Sequence, residues 1–419
     1  VKILADLGQI LAAAPINCIV VRMPIPTPFH ERTAALNESH EWRNWSGYLA
    51  AGLYEPTHER EYYAIRNAAA LIDVSPLFKY DITGPDALRL VNKIITRDAA
   101  KARIGQILYT PWCDEAGKII DDGTVWRLAD DHFRMTAADP SLRWFQDCGY
   151  GMNVAIEDMS TRLAALALQG PNARHILREV VPDPGLDELR YYYLLQTNSG
   201  GLPLTITRTG YTGDLGYELW TPPEYACQLW DRLVTAGKRY GLLPAGIIAL
   251  DIARVEAGLL LIEVDYISSQ KALTEARKSS PYEAGLGWTV ALDKGPFIGR
   301  QALAAEKKAG SKWSFVGLDV DWPALEQLFA VHDLPPMIDN RTDRTAIPLY
   351  NANGRQVGQV TSRTFSPILK KYLALATVES RYDRPGKQLQ VEVTVEYTRR
   401  KAPAVVTKIP FFNPPRKRA

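Results

Sequence analysis

The 419-residue sequence predicts an α+β protein of two or three domains that ends in a separate β-rich domain. Three observations carry this. The chain is too long for one ordinary domain. Up to about residue 305, stretches with apolar residues at spacings of three and four alternate with short apolar or alternating runs, which mark helices and strands in turn. Beyond about residue 306 the helical spacing gives way to short β segments.

The elements follow in order. Residues 58–71, HEREYYAIRNAAAL, read as a helix, KYDITG as a strand, and PDALRLVNKII as a second helix. QILYTPWC, IIDDGTVWRL and HFRMTA read as strands, broken by the turns DEAGK and ADD, whose Asp and Gly residues are hairpin chemistry. RLAALALQG is a buried strand with a turn, followed by the helix PNARHILREV. In LPLTITRTGYTGDLGYELWTP two strand-like runs flank a glycine-rich turn containing Gly210, Gly213 and Gly216. EYACQLWDRLVTAGKRYG and AGIIALDIARVEAG read as helices. The β-rich end comprises WSFVGLDV, TAIPLYNANGRQVGQVTSR, YLALATV, QLQVEVTVEYT and AVVTKIPFF, and the closing PPRKRA reads as solvated.

Composition narrows the function. Hydrophobic residues at 46% and charged residues at 23% describe a folded, soluble chain. Lys and Arg number 49 against 47 Asp and Glu, a balance that argues against nucleic-acid binding. Cys18, Cys113, Cys148 and Cys227 lie far apart with no CxxC, and no HxxxH pair occurs, so neither a metal centre nor a disulfide framework is expected. A reducing cytoplasm fits this usage. No apolar run reaches the length of a membrane span. Residues 1–22 read either as an N-terminal extension or as the product of an upstream start; Ile3, Leu4, Leu7, Ile10 and Leu11 fall on one helical face, and Asp6, Pro15 and Asn17 interrupt the apolar run, against a secretory signal.

The motifs alone leave alternatives open. RTGYTGDLGYELW is neither GxGxxG opening a helix nor a P-loop. It is either a hairpin with a glycine-rich loop or a close backbone approach to a flat ligand, with Tyr211 stacking and Glu218 supplying a carboxylate. Asp98 reads as a turn or cap residue as readily as a catalytic one. Asp121 and Asp122 are adjacent on a strand and face opposite sides, which favours a structural role. Tyr191, Tyr192 and Tyr193 read as half-buried sheet or loop.

The order of these segments resembles the glycine cleavage T-protein family, the folate-dependent aminomethyltransferases and their relatives. The matching segments include TPFHE (27–31), HEREYYAIRNAAALIDVS (58–75), ITRDAAKARIGQILYTPWCDEAGKIIDDGTVWRL (95–128), LALQGPNAR (166–174), RTGYTGDLGYEL (208–219), LDIARVEAGLLL (250–261), SPYEAGLGWTVALDKGPFIGRQAL (280–303) and GQVTSRTFSPILKKYLALA (358–376). The resemblance implies a three-domain cloverleaf around a central cavity that binds tetrahydrofolate. Its units are an interleaved folate-binding domain (23–68 and 160–270), a second α+β domain (69–159 and 271–305) and a β-rich domain (306–419). It implies Glu218 as the forked acceptor for the pterin, Tyr211 and Trp288 as pocket aromatics, and Asp98 as the catalytic aspartate. Asp114 falls where relatives have Asn in an N-E-x-G-G turn, and Leu250 where they have an arginine that helps hold folate.

Departures from the family pattern bear on the donor. The D-V-S-H-M-G segment is Asp73, Val74, Ser75, Pro76, Leu77 and Phe78 here; the second Gly of the turn is Lys118, and V-T-S-G is Val360, Thr361, Ser362 and Arg363. Phe78 and Leu250 make the expected pocket more apolar, which suits a small methylated donor over the aminomethyl-lipoyl arm of H-protein. The expected activity is one-carbon transfer to tetrahydrofolate, a demethylase-type methyltransferase or an aminomethyltransferase. The alternatives are the H-protein-dependent reaction, a non-catalytic folate-binding protein, for which the K-G-C-Y-x-G-Q-E motif of such relatives is missing, and a folate-binding partner of a flavin-linked demethylating dehydrogenase.

Overall fold

The computed structural model describes residues 23–419, so the extension read over 1–22 lies outside the described residues. A six-stranded sheet has the order Leu194–Ser199, Leu202–Thr207, Gly216–Thr221, Ala164–Gln169, Ala69–Asp73 and Leu242–Pro244. Helices Ala173–Val180 and Ala226–Gly237 pack on one face, where Leu166, Leu168, Tyr217 and Leu219 are buried. Helices Glu59–Asn67 and Ile247–Glu256 pack on the other, with Ala167, Trp220, Ile65 and Ile252. The strand period of two thus sends neighbouring side chains into different cores.

The chain leaves this sheet to build a second one, ordered Ile107–Cys113, Ile119–Arg127, His132–Ala137, Phe78–Thr83 and Ala155–Asp158, with helices Ala87–Ile94 and Leu142–Cys148. It then returns to the first. The crossing comes after Asp73 and not at 68, because Ala69–Asp73 pairs with Ala164–Gln169 and Leu242–Pro244. The helix read over 58–71 accordingly stops at Asn67. Alanine favours helix, but all five residues of Ala69–Asp73 are buried between two strands, and that pairing overrides local propensity. Helix Arg300–Ala309 spans the boundary read at 305/306, and its Leu303 packs toward the hairpin glycine Gly117 of the second sheet.

A closed barrel follows, ordered Trp313–Val320, Lys371–Glu379, Gln356–Ser366, Ile347–Tyr350, Gln388–Val395 and Thr398–Thr407, so that no sheet edge is left open. The final residues, expected to be solvated, are only partly so: Pro415, Arg418 and Ala419 are exposed, but the segment is docked. Arg416 grips Asp214 at 2.6 and 2.8 Å, the Phe412 ring lies 4.3 Å from the Arg66 guanidinium, and Arg174 and Arg208 both donate to the Ala419 main-chain oxygen. PPRKRA looks solvated in isolation only because its partner, Asp214, lies two hundred and two positions away. No helix of the described residues is long and apolar enough to cross a membrane.

Candidate active site

Glu218 sits mid-strand in Gly216–Thr221, opposite Ala167 and Thr207. Its neighbours Tyr217 and Leu219 enter the outer core, which turns Glu218 toward the inner face. It is half-buried, and its Oε2 accepts from Thr209 Oγ1 at 2.7 Å and Thr207 Oγ1 at 3.4 Å. Oε1 has no partner among the described residues. Burial raises the Glu218 pKa, and the two threonines oppose that rise.

The preceding glycine-rich loop is shaped by the protein itself. A Cβ on Gly210 or Gly216 would lie 2.1 or 2.2 Å from Gln169 Oε1, and one on Gly213 (φ +74°) 2.4 Å from Ala257. Gln169 is fully buried, donating to the carbonyls of Thr209 and Tyr217 and accepting from Thr212. Close approach to Gln169, not to a ligand, is therefore what requires Gly210 and Gly216. Tyr211 is half-buried, and its hydroxyl donates to the Leu260 carbonyl. Leu250, on helix Ile247–Glu256, is buried in the cluster against which Tyr211 packs.

Asp98 caps the short 3-10 turn Ala99–Lys101: its Oδ1 accepts from Ala100 N at 3.0 Å and from Asn92 Nδ2 at 3.3 Å. Lys101 lies 3.5 Å from Oδ2, and the side chain is 12% exposed. The segment leading to Asp98 is clamped by Lys294, whose ammonium donates to the carbonyls of Asn92 (2.8 Å), Arg97 (2.6 Å) and Ile95. Burial lowers the Lys294 pKa to about 7, and the Asp98 charge opposes this. Trp288, on the turn Gly287–Thr289, is 65% exposed and stacks on Tyr109 at 6.3 Å. Asp114 closes its own hairpin, its Oδ1 accepting from Lys118 N at 2.9 Å within the turn. Phe78 stacks on Tyr80 in the core of the second sheet, while Leu77 and Leu250 pack with the cluster that contains Tyr211.

Other residues at this junction carry no obvious mark in the sequence. Asp121 and Asp122 do face opposite sides. Asp121 is fully buried and accepts from the main-chain amides of Asp122, Ala138 and Asp139. Asp122 is half-buried and accepts from the hydroxyls of Tyr109 (2.6 Å) and Tyr266. Burial raises its pKa, and the two phenols oppose this. Tyr192 adopts φ +62°, unusual for so large a residue, and packs with Tyr211 against the same apolar cluster. Beneath these groups, Arg254 (side chain 1% exposed) bonds Asp251 at 2.7 Å, Asp265 at 2.6 Å and Ser362 at 2.7 Å. Asp265 in turn accepts from Thr361 and Ser362, which pins the barrel to helix Ile247–Glu256. The strand alternation in QILYTPWC that exposes Tyr109 was a usable signal; the pairing of Asp122 with Tyr266 was not.

Two interleaved α+β units closed by a six-stranded barrel define a class. The fold is shared with the glycine cleavage system aminomethyltransferase T of Bartonella henselae, at a TM-score of 0.78 and 24% identity over 93% of this chain and 98% of that one. The family descriptions "GCVT N-terminal domain" and "Glycine cleavage T-protein C-terminal barrel domain" match residues 27–294 and 337–413. The chain belongs to the glycine cleavage T-protein family. It is similar to the aminomethyltransferase of Thermoanaerobacter sp. (strain X514), 34% identical over 80% of this chain and 84% of that relative. The aminomethyltransferase of Halothermothrix orenii is 35% identical over 84% and 90% respectively. The trimethylamine-oxide aldolase of Ruegeria pomeroyi is 31% identical over 95% of this chain, which spans about half (48%) of that relative.

Proposed function

We propose that this chain is a tetrahydrofolate-dependent one-carbon transferase whose donor is a small methylated molecule. The observation that carries the folate reading is Glu218: a half-buried carboxylate with one oxygen held by Thr209 and the other without a partner. A pterin offers a ring N–H beside an exocyclic amine, the donor pair that such a carboxylate fits. The half-buried Tyr211 and Tyr192 suit the flat ring beside it. Tetrahydrofolate supplies the nitrogen nucleophiles that accept the one-carbon unit. In this reading Glu218 binds and orients the pterin, and Asp98 stabilises positive charge developing near those nitrogens. Lys294 and Asn92 fix the turn from which Asp98 projects. A reducing cytoplasmic setting suits this chemistry.

The small-donor reading is supported by Leu250, an apolar residue in the Tyr211 cluster where an arginine is expected from the family pattern; Phe78, expected to line the same pocket, packs in the second-sheet core instead and lends no support. Loss of a cation and gain of aliphatic surface favour desolvating a methyl group over handling an aminomethyl-lipoyl arm. The similarity to a trimethylamine-oxide aldolase points to the same donor class. The test is an incubation of tetrahydrofolate with a panel of O-, N- and S-methylated donors, or with aminomethylated H-protein. Mass spectrometry then reads 5-methyl against 5,10-methylene product. Turnover with a small donor and little with H-protein is expected; ammonia release from H-protein at about 1–1000 per second would reverse the assignment.

A further inference from the structure

Arg97 directly precedes Asp98, and its environment is unlike that of the other cations at this junction. Arg254 is bound to Asp251 and Asp265, and Lys294 to three carbonyls. Lys101 shares Asp98 and Asp293. The Arg97 guanidinium is half-buried, yet among the described residues it has no hydrogen-bond or ion-pair partner. What it does meet is aromatic: its guanidinium carbon lies 5.4 Å from the centroid of the Trp288 ring.

An aromatic contact uses none of the five N–H donors of a guanidinium. Withdrawing those donors from water without an acceptor is costly, so a guanidinium that a bound ligand covers needs an acceptor. Here burial lowers the Arg97 pKa, with no carboxylate opposing the shift. A ligand carboxylate entering the junction would supply the acceptor that this guanidinium lacks. Arginine is suited to that task because its planar fork matches both oxygens of a carboxylate. The 65% exposure of Trp288 places this contact toward water, while Glu218 lies on the inner face of the sheet.

We propose that Arg97 anchors a ligand carboxylate at the open side of this site. The carboxylate comes either from the glutamate tail of the folate or from a one-carbon donor that is itself acidic, such as an N-methylated amino acid. The first source rests on the folate reading of Glu218; the second does not.

The test compares wild type with Arg97→Gln and Arg97→Lys by calorimetry, using two ligand pairs. Tetrahydrofolate is set against 6-methyltetrahydropterin, which keeps the ring and lacks the tail. N,N-dimethylglycine is set against N,N-dimethylethylamine, which lacks the carboxylate. Arg97→Gln should weaken the carboxylate-bearing member of one pair about ten- to a hundredfold and spare its partner, with Arg97→Lys between. The affected pair names the source. Unchanged affinities, equal loss for both members of a pair, or no wild-type binding of either carboxylate overturns the proposal. If wild type binds neither tetrahydrofolate nor the pterin, the folate reading falls, and the dimethylglycine pair alone decides Arg97.

Discussion

Replacing Glu218 with glutamine isolates its charge from its shape. The variant keeps an amide oxygen for the Thr209 hydroxyl that now sits 2.7 Å from Oε2. It converts one acceptor of the fork into a donor, which would face another donor on the pterin. A hydrogen bond to a charged group contributes about 1.5–3 kcal/mol, so tetrahydrofolate affinity should fall about ten- to a hundredfold. The free protein should not suffer. Burial raises the Glu218 pKa above its ordinary value, so the fold disfavours the charged form, and that charge lowers stability as pH rises through the shifted range. Glutamine removes the penalty, so the ligand-free variant should melt at or above the wild-type temperature at pH 7. Anaerobic calorimetry reads the affinity, and thermal melting with and without ligand reads the two stabilities. Wild-type affinity should also decline on acidification at a pH above that of an ordinary glutamate, and the variant should lack that decline. Equal affinities of the two proteins would refute the pterin assignment. A loss matched by an equal fall in the ligand-free melting temperature would show that Glu218 serves the sheet instead.

Three further outcomes are expected. Asp98→Asn should keep the cap on Ala99–Lys101 and most of the folate affinity while lowering single-turnover rate sharply; a lower melting temperature with an unchanged rate would make Asp98 a cap only. Asp265→Ala strips Arg254, Thr361 and Ser362 of a shared acceptor and should cost about 3–5 kcal/mol in urea unfolding, which a loss below about 1 kcal/mol would contradict. Lys79 is buried with its ammonium on the Ser75 carbonyl at 2.6 Å, and burial lowers its pKa to about 7. Between that value and its ordinary 10.5 the unfolded chain holds a proton the fold releases, so stability should rise with pH across this window. Lys79→Met should flatten that rise, by up to about 1.4 kcal/mol per pH unit.

Elements whose signals are local could be read from the chain alone. Period and turn residues placed the strands of QILYTPWC, IIDDGTVWRL and HFRMTA, the helices at 173–180, 226–237 and 247–256, and the β-rich end, because each depends on neighbours within a few positions. The adjacency of Asp121 and Asp122 sufficed to send them to opposite faces. Features that depend on partners distant in the chain emerged with the folded arrangement. Ala69–Asp73 became a strand because Ala164–Gln169 and Leu242–Pro244 flank it, against the helix preference of its alanines. The closing residues docked because Arg416 meets Asp214. The glycines of RTGYTGDLGYE, legible as a special loop, turned out to accommodate Gln169, forty-one positions before Gly210. Asp122 gained its place at the junction from the hydroxyl of Tyr266, and Arg97 its exposure to Trp288 from a turn nearly two hundred residues away. Local propensity decides single elements at a cost of tenths of a kcal/mol per residue, whereas burial and buried charge pairing act at several kcal/mol per group, and their partners can be named only once the chain has folded.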